Sequence, residues 1–269
     1  MSIITVSRGS YSHGKEVAEK VANRLGYHLV AREVLLEASE NFNIPEAKLL
    51  MTMENAPSLL DRFTNWREKY IAYIQAAILM NFQRDNVVYH GMAGHFFVTG
   101  VPHVLKVRII ADLETRVKLV TERDGLTLKE AQRTIKKLDE ERSRWSRQLY
   151  GIETSDPSLY DLVLHIKKLS VDDAVDIICH TVNLKRFQST TESQGMMDDL
   201  VLAAQVKTTI VDLKPDVEVS AKSGVVHIWF EARSRREVEM VEEMESIVRK
   251  IPGLKDLKIE MRPSLNFSE

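Results

Sequence analysis

The apolar positions at the start of the chain switch period twice. Ile3-Ile4-Thr5-Val6 is a mostly apolar run of strand length, whereas Val17, Val21, Ala22 and Leu25 recur at helical spacing before Gly26, a helix stop. His28-Leu29-Val30 reads as a second short strand, and residues 32–41 read as a helix ending before Asn43-Ile44-Pro45. From about Pro57 to Arg84 a helical period runs through Leu59, Phe63, Trp66, Tyr70, Ile74, Ile78 and Phe82. Val87-Val88-Tyr89-His90 then predicts a strand that ends in the turn Gly91–Gly94. The strongest strand signal is Val104–Ala111, followed by Asp112 as the expected N-cap of a helix over 113–123. Thr127 and Glu130 form a capping box for a helix to about Tyr150. Residues 159–166 read as a strand, and Ser170 to Asp173 cap a closing helix to about Leu184.

Strands alternating with helices predict an α/β fold, a parallel sheet flanked by helices and joined by right-handed crossovers. Its functional edge is the carboxyl ends of the strands, where residues 9–15, Gly91 and Asp112 should collect. Residues 188–195 are polar and aperiodic, the mark of a linker, 188–197, between a first domain, 1–187, and a second, 198–263. The second reads as a small α+β unit of order αββαβ. A helix runs from Asp198-Asp199 to Leu213, and strands at 216–221 and 225–232 flank the turn Lys222-Ser223-Gly224. A helix from Ser234 and a strand at 257–261 complete it.

Composition narrows the function classes. The 269 residues are 44% hydrophobic and 28% charged, with a formal net charge of −2, so nothing draws the whole chain to nucleic acid and any anion site must be local. Cys179, the single cysteine, excludes an intramolecular disulfide and sits in an apolar helical pattern, which predicts a buried structural thiol. The chain opens directly into a strand and has no run of 18 apolar residues, so a cytoplasmic protein without a targeting segment is expected.

The candidate chemistry lies in the first loop. Gly9, Ser10, Tyr11, Ser12, His13, Gly14 and Lys15 follow G-x-x-x-x-G-K between a strand and a helix. Backbone N–H groups there can converge on phosphate oxygens at the positive end of a helix, and Lys15 adds a mobile cation. Glu16 stands where the motif has a hydroxyl that ligates magnesium; it either binds the metal itself or points away. His13 either touches a phosphate or faces solvent. Five cations, Lys136, Lys137, Arg142, Arg144 and Arg147, fall within a few turns of one helix. They read as a solvated face laced by pairs such as Lys136 with Glu140, or as a lid that brings positive charge to a transferred phosphoryl group. His90 and His95 read as packing or capping groups, and Trp66, Tyr70 and Tyr73 as core. No histidine spacing suits zinc.

Taken in order, Ile4 to Arg8 with the glycine loop, Leu25-Gly26-Tyr27, Arg32-Glu33, Val87 to Gly91, Val107 to Asp112 with Arg116, Asp139 with Arg142, and Tyr160-Asp161-Leu162 resemble the cytidylate-kinase-like proteins. These are a branch of the P-loop nucleoside monophosphate kinases. The resemblance implies ATP, with Mg²⁺, on residues 9–16, and phosphoryl transfer to a nucleoside monophosphate, most naturally a pyrimidine one. It implies catalytic roles for Lys15, Arg142 and Arg144, and an acceptor and lid region at Arg32, Gly91, Asp139 and Arg147. Glu16, Ala31 and Met92 depart from the family's usual residues, which leaves open a catalytically degenerate nucleotide-binding regulator or scaffold. Asp198-Asp199, the hairpin with Gly224 and Ile251-Pro252-Gly253-Leu254 are similar to a BON domain, a module that binds ligands, membranes or other copies of itself. A protein partner or self-association through 198–263 is expected from it. A membrane partner is not, because acidic residues from Glu237 to Glu245 surround Arg233, Arg235, Arg236 and Lys250.

Overall fold

The computed structural model describes residues 1–31, 33–42, 66–91, 93–232 and 235–263. The described residues form two compact units, one of residues 1–31, 33–34, 84–91 and 93–190, the other of 35–42, 66–83, 191–232 and 235–263.

The first unit is built on β1 (Ile3–Arg8), α1 (Gly14–Leu25) and β2 (His28–Val30). A helix α2 (Glu33–Phe42) and a helix α3 (Trp66–Phe82) intervene before β3 (Val87–His90) and β4 (Val104–Ala111). Then come α4 (Leu113–Asp124), α5 (Leu128–Tyr150), β5 (Leu162–Ile166) and α6 (Val171–Val182). The five strands are all parallel in the order β2-β3-β1-β4-β5. Parallel strands are covered on both faces, and β1 is accordingly buried from Ile3 to Ser7, with Ile4 and Val6 packed on Val17, Val21, Ile178 and Val182 of α1 and α6. Lys20 pairs with Asp172 at 2.9 Å, and Arg24 with Asp176, across the same helices. Cys179 is buried there, as expected, and burial pushes its thiol up.

The capping boxes at Thr127 and Ser170 are both complete. Three local expectations are corrected. Asp112 precedes α4 but makes no side-chain cap bond, because its carboxylate is taken by Lys167 and by His165 at 3.0 Å. The last strand starts at Leu162 because Asp156 caps a short 3-10 turn over Pro157–Leu159, ahead of the strand. Residues 188–197, expected as a linker, are helical from Thr191, which opens α7 (Thr191–Ile210) with Glu192 in its first turn.

The second unit contains α3, packed against α7. Gln83 donates to Asp198 at 2.8 Å, and Lys69 pairs with Asp212. Tyr73 is core, stacked on Phe42 with ring centroids 4.6 Å apart, while the side chain of Trp66 lies outside the described residues, as do residues 57–65 of the expected long helix. After α7 come β6 (Glu218–Lys222), β7 (Val225–Ala232), α8 (Arg235–Val248) and β8 (Asp256–Pro263). This is the expected αββαβ order; β6 pairs antiparallel and β8 parallel with β7. Ser223 and Gly224 turn the hairpin at φ of 53° and 82°, and Asp199 accepts from both their amides. Leu202, Val206, Ile210, Val226, Ile228 and Met244 fill the core between helices and sheet. Ser234 lies outside the described residues.

Candidate functional site

The loop between β1 and α1 turns through two side-chain-bearing residues, Tyr11 and His13, at φ of 57° and 63°. Its glycine has a different task. A Cβ on Gly14 would lie 2.6 Å from the Cβ of Arg8, so only glycine lets α1 begin against the stem of that arginine. Gly9 N–H donates to Ile109 O at 3.1 Å, and Ser12 Oγ lies 2.9 Å from both Gly9 O and Ile109 O, which ties the loop to β4. Among the described residues, the amides of Tyr11, Ser12, His13 and Gly14 find no backbone acceptor. Four successive donors at the positive end of α1 make an anion seat.

The charged side chains of the loop stand around this seat. Lys15 is exposed, with Nζ 3.6 Å from Glu19, and is free to reach an incoming anion. Glu16 is held by His13 at 3.1 Å and Lys20 at 3.4 Å. Among the described residues no group of three or more His, Cys, Asp and Glu is gathered around a metal position. Ser10 N–H donates to Asp139 Oδ1 at 3.3 Å; Arg116 donates to Ser10 O at 2.7 Å and to Asp139 Oδ2 at 2.5 Å. Asp139 thus joins α5 to the loop.

Beyond the loop lies a concentration of arginines. Arg8 ends β1, Arg108 interrupts the apolar run of β4, and Arg142 projects from α5 and donates to Arg8 O at 3.2 Å. Among the described residues none of the three has a carboxylate within ion-pair distance: Arg8 meets His90 Nδ1 at 3.5 Å, and Arg108 meets Ser7 Oγ and Tyr160 Oη at 3.3 Å. Burial pushes the Arg8 guanidinium down, and burial reinforced by Arg8 pushes Arg142 down to about 10. Arg8 and Arg142 line three adjoining hollows: about 480 Å³ around the loop, about 410 Å³ beside Asp139 and Arg147, and about 60 Å³ reaching Gly91 and His95. Cations crowded in this way, with no carboxylate at ion-pair distance among the described residues, form a site for a polyanion.

Tyr160 backs the smallest hollow. Its hydroxyl lies 2.9 Å from Thr154 O, an acceptor only, so its proton goes there, and its lone pairs face Arg108 and one of Ser7 or His95. Burial, then Arg108 and Lys106, pushes His95 down to about 3, so the ring is neutral. An unfolded histidine takes up a proton below about pH 6.5 that the folded ring refuses, so stability must fall as pH drops through that value. At pH 5 the expected loss from His95 is about 2 kcal/mol, read as the difference in urea-unfolding free energy between wild type and His95→Gln at pH 7 and pH 5.

The structure brings Gly9 to Glu16, Asp139, Arg142, Arg147 and Gly91 to adjoining hollows, and pairs Arg147 with Glu153. Arg144 is exposed and lines none of them. Arg32 and Met92 lie outside the described residues. Helix α5 turns its Lys136–Glu140 and Lys137–Glu141 pairs toward solvent and Arg142 toward the cleft. Arg8, Arg108, Arg116 and Tyr160 were not among the expected site residues. For Arg8 and Arg108 the signal was a cation at the end of, or inside, an otherwise apolar strand.

A family model described as the cytidylate kinase-like family matches residues 3–168. A cytidylate kinase of Methanopyrus kandleri is 25% identical over 185 residues, which are 65% of this chain and 90% of that protein. One of Pyrobaculum aerophilum is 27% identical over 190 residues, 69% of this chain and 97% of that one. The crystal structure of an uncharacterized protein from Eubacterium ventriosum superposes with a TM-score of 0.52 at 23% identity, over 69% of this chain and 100% of its own, which shows a shared fold.

Proposed function

We propose that this chain, which belongs to the cytidylate kinase-like family, transfers the γ-phosphoryl group of ATP to a pyrimidine nucleoside monophosphate. The observation that carries the reading is the meeting of Arg8, Arg108 and Arg142, none with a carboxylate partner among the described residues, beside the amides of residues 11–14. The loop amides and Lys15 hold the donor phosphates, and Arg8 and Arg108 seat the acceptor phosphate. Arg142, which borders both spaces, stabilises the charge that develops between them. Positioning and electrostatic stabilisation are most of what such a transfer requires. A magnesium ion accompanying ATP would offset part of the charge of its phosphates.

The test is ADP release with CMP, dCMP and UMP in turn, against Lys15→Ala. Turnover with a pyrimidine monophosphate is expected to exceed that of the variant by at least about a hundredfold. A chain whose melting temperature rises with ATP, but whose turnover never exceeds the Lys15→Ala control, fits a second reading, a nucleotide-binding regulator. The capture of Glu16 by His13 and Lys20 favours that reading, because nothing at this position supplies the motif's hydroxyl. In either case residues 198–263, with their BON-like order, serve as an assembly or sensing module. No helix among the described residues is long and apolar enough to cross a membrane.

A further inference from the structure

The C-terminal sheet ends in a strand whose outer side chains form a charge palindrome. Strand β8 spans Asp256–Pro263 and is the edge of its sheet, paired among the described residues only with β7. Asp256, Lys258, Glu260 and Arg262 are exposed, while Leu257 and Ile259 turn toward the core. The large apolar Met261 is left 38% exposed. An alternating-charge edge deters pairing with an arbitrary strand. Read backwards against itself, however, this sequence meets opposite charge at each outer position.

We propose that β8 pairs antiparallel with β8 of a second copy of this chain, Ile259 facing Ile259 across a two-fold axis. That register sets Asp256 opposite Arg262 and Lys258 opposite Glu260, each pair occurring twice by symmetry. On the other face it sets Leu257 opposite Met261, which covers the exposed methionine and continues the core from one sheet into the next. Any shift of register by one or two residues breaks the charge match, so the pairing is specified as well as permitted. The opposite edge, β6, has five residues against eight, and Asp199 of α7 takes the amides at its turn. The proposal narrows the assembly role of residues 198–263 and is independent of phosphoryl transfer, since its test reads mass and not turnover.

The test is sedimentation velocity of the full-length chain across the micromolar range. Wild type is expected to show a concentration-dependent dimer. K258E places like charges opposite one another twice and should weaken the dimer about tenfold or more, and E260K should do the same. The double variant K258E/E260K restores opposite charges and should recover the dimer. Both side chains are exposed, so the circular dichroism and melting temperature should match wild type. A chain that is monomeric at every concentration, a dimer indifferent to K258E, or a double variant no tighter than the single ones overturns the proposal.

Discussion

Replacing Arg142 with alanine is expected to lower kcat/KM for the proposed phosphoryl transfer roughly 10³-fold while leaving the ligand-free chain as stable as before or more so. The two effects have one cause. Arg142 sits among Arg8, Arg108 and Arg116 and borders all three hollows, and burial with Arg8 beside it holds its guanidinium down at about 10. In the folded chain without an anion this is a cation kept at a cost. With an anion it becomes the group best placed to follow charge between donor and acceptor. Removing it therefore relieves the fold and disables the site, a trade between stability and function. Arg142→Lys keeps the charge but loses the planar fork and should recover only about a tenth of the lost rate. Arg144→Ala, on the exposed side of α5, should stay within about twofold of wild type. Steady-state kinetics paired with ligand-free melting curves decide the matter. If activity and melting temperature of Arg142→Ala fall together, the residue is structural and its catalytic role is lost.

The second large effect is on stability. Gly94→Ala should destabilise the chain by about 3 kcal/mol in urea unfolding. A Cβ at that position would lie 2.4 Å from Cε1 of Tyr89, and one on Gly91 would lie 2.4 Å from its hydroxyl. Tyr89 is only 2% exposed, and burial pushes its hydroxyl up, so the ring has nowhere to retreat. The two glycines after β3 thus exist for one aromatic ring. Gly91, which also borders the smallest hollow, leaves room there for the Tyr89 hydroxyl. Shrinking the ring should relieve the clash: Tyr89→Leu combined with Gly94→Ala should cost at least about 1 kcal/mol less than the sum of the single changes. Additive costs would place the strain elsewhere.

What could be read from the sequence was what is local. Strand β4 fell at Val104–Ala111 as expected, because an apolar run between a proline and a polar stop needs no distant partner to define it. The capping boxes were legible for the same reason. Residues 191–197 were not, since a polar stretch becomes helix here with Ser193 and Met197 buried in a unit that also contains α3, 110 and more positions away in the chain. The anion site was half legible. The loop announced itself, but the meeting of Arg8, Arg108 and Arg142 depends on β1 lying beside β4 and on α5 folding back over both. Residues 134 positions apart share one hydrogen bond, and no spacing along the chain encodes that. Arg144 illustrates the converse. It stands two residues from Arg142, close in sequence and on the wrong side of the helix.

The peptide of Ser10 is held at both ends, its N–H by Asp139 and its C=O by Arg116, which itself grips Asp139. A phosphate oxygen that comes for that amide enters a competition with a carboxylate tethered to the same chain, whose local concentration no dilution can lower. Such a rival would weaken the apparent affinity for that phosphate by a constant factor. Each exchange would also unfasten α5 from the loop at one point, so that occupancy of the seat and the hold on the helix that carries Arg142 would be two readings of one equilibrium.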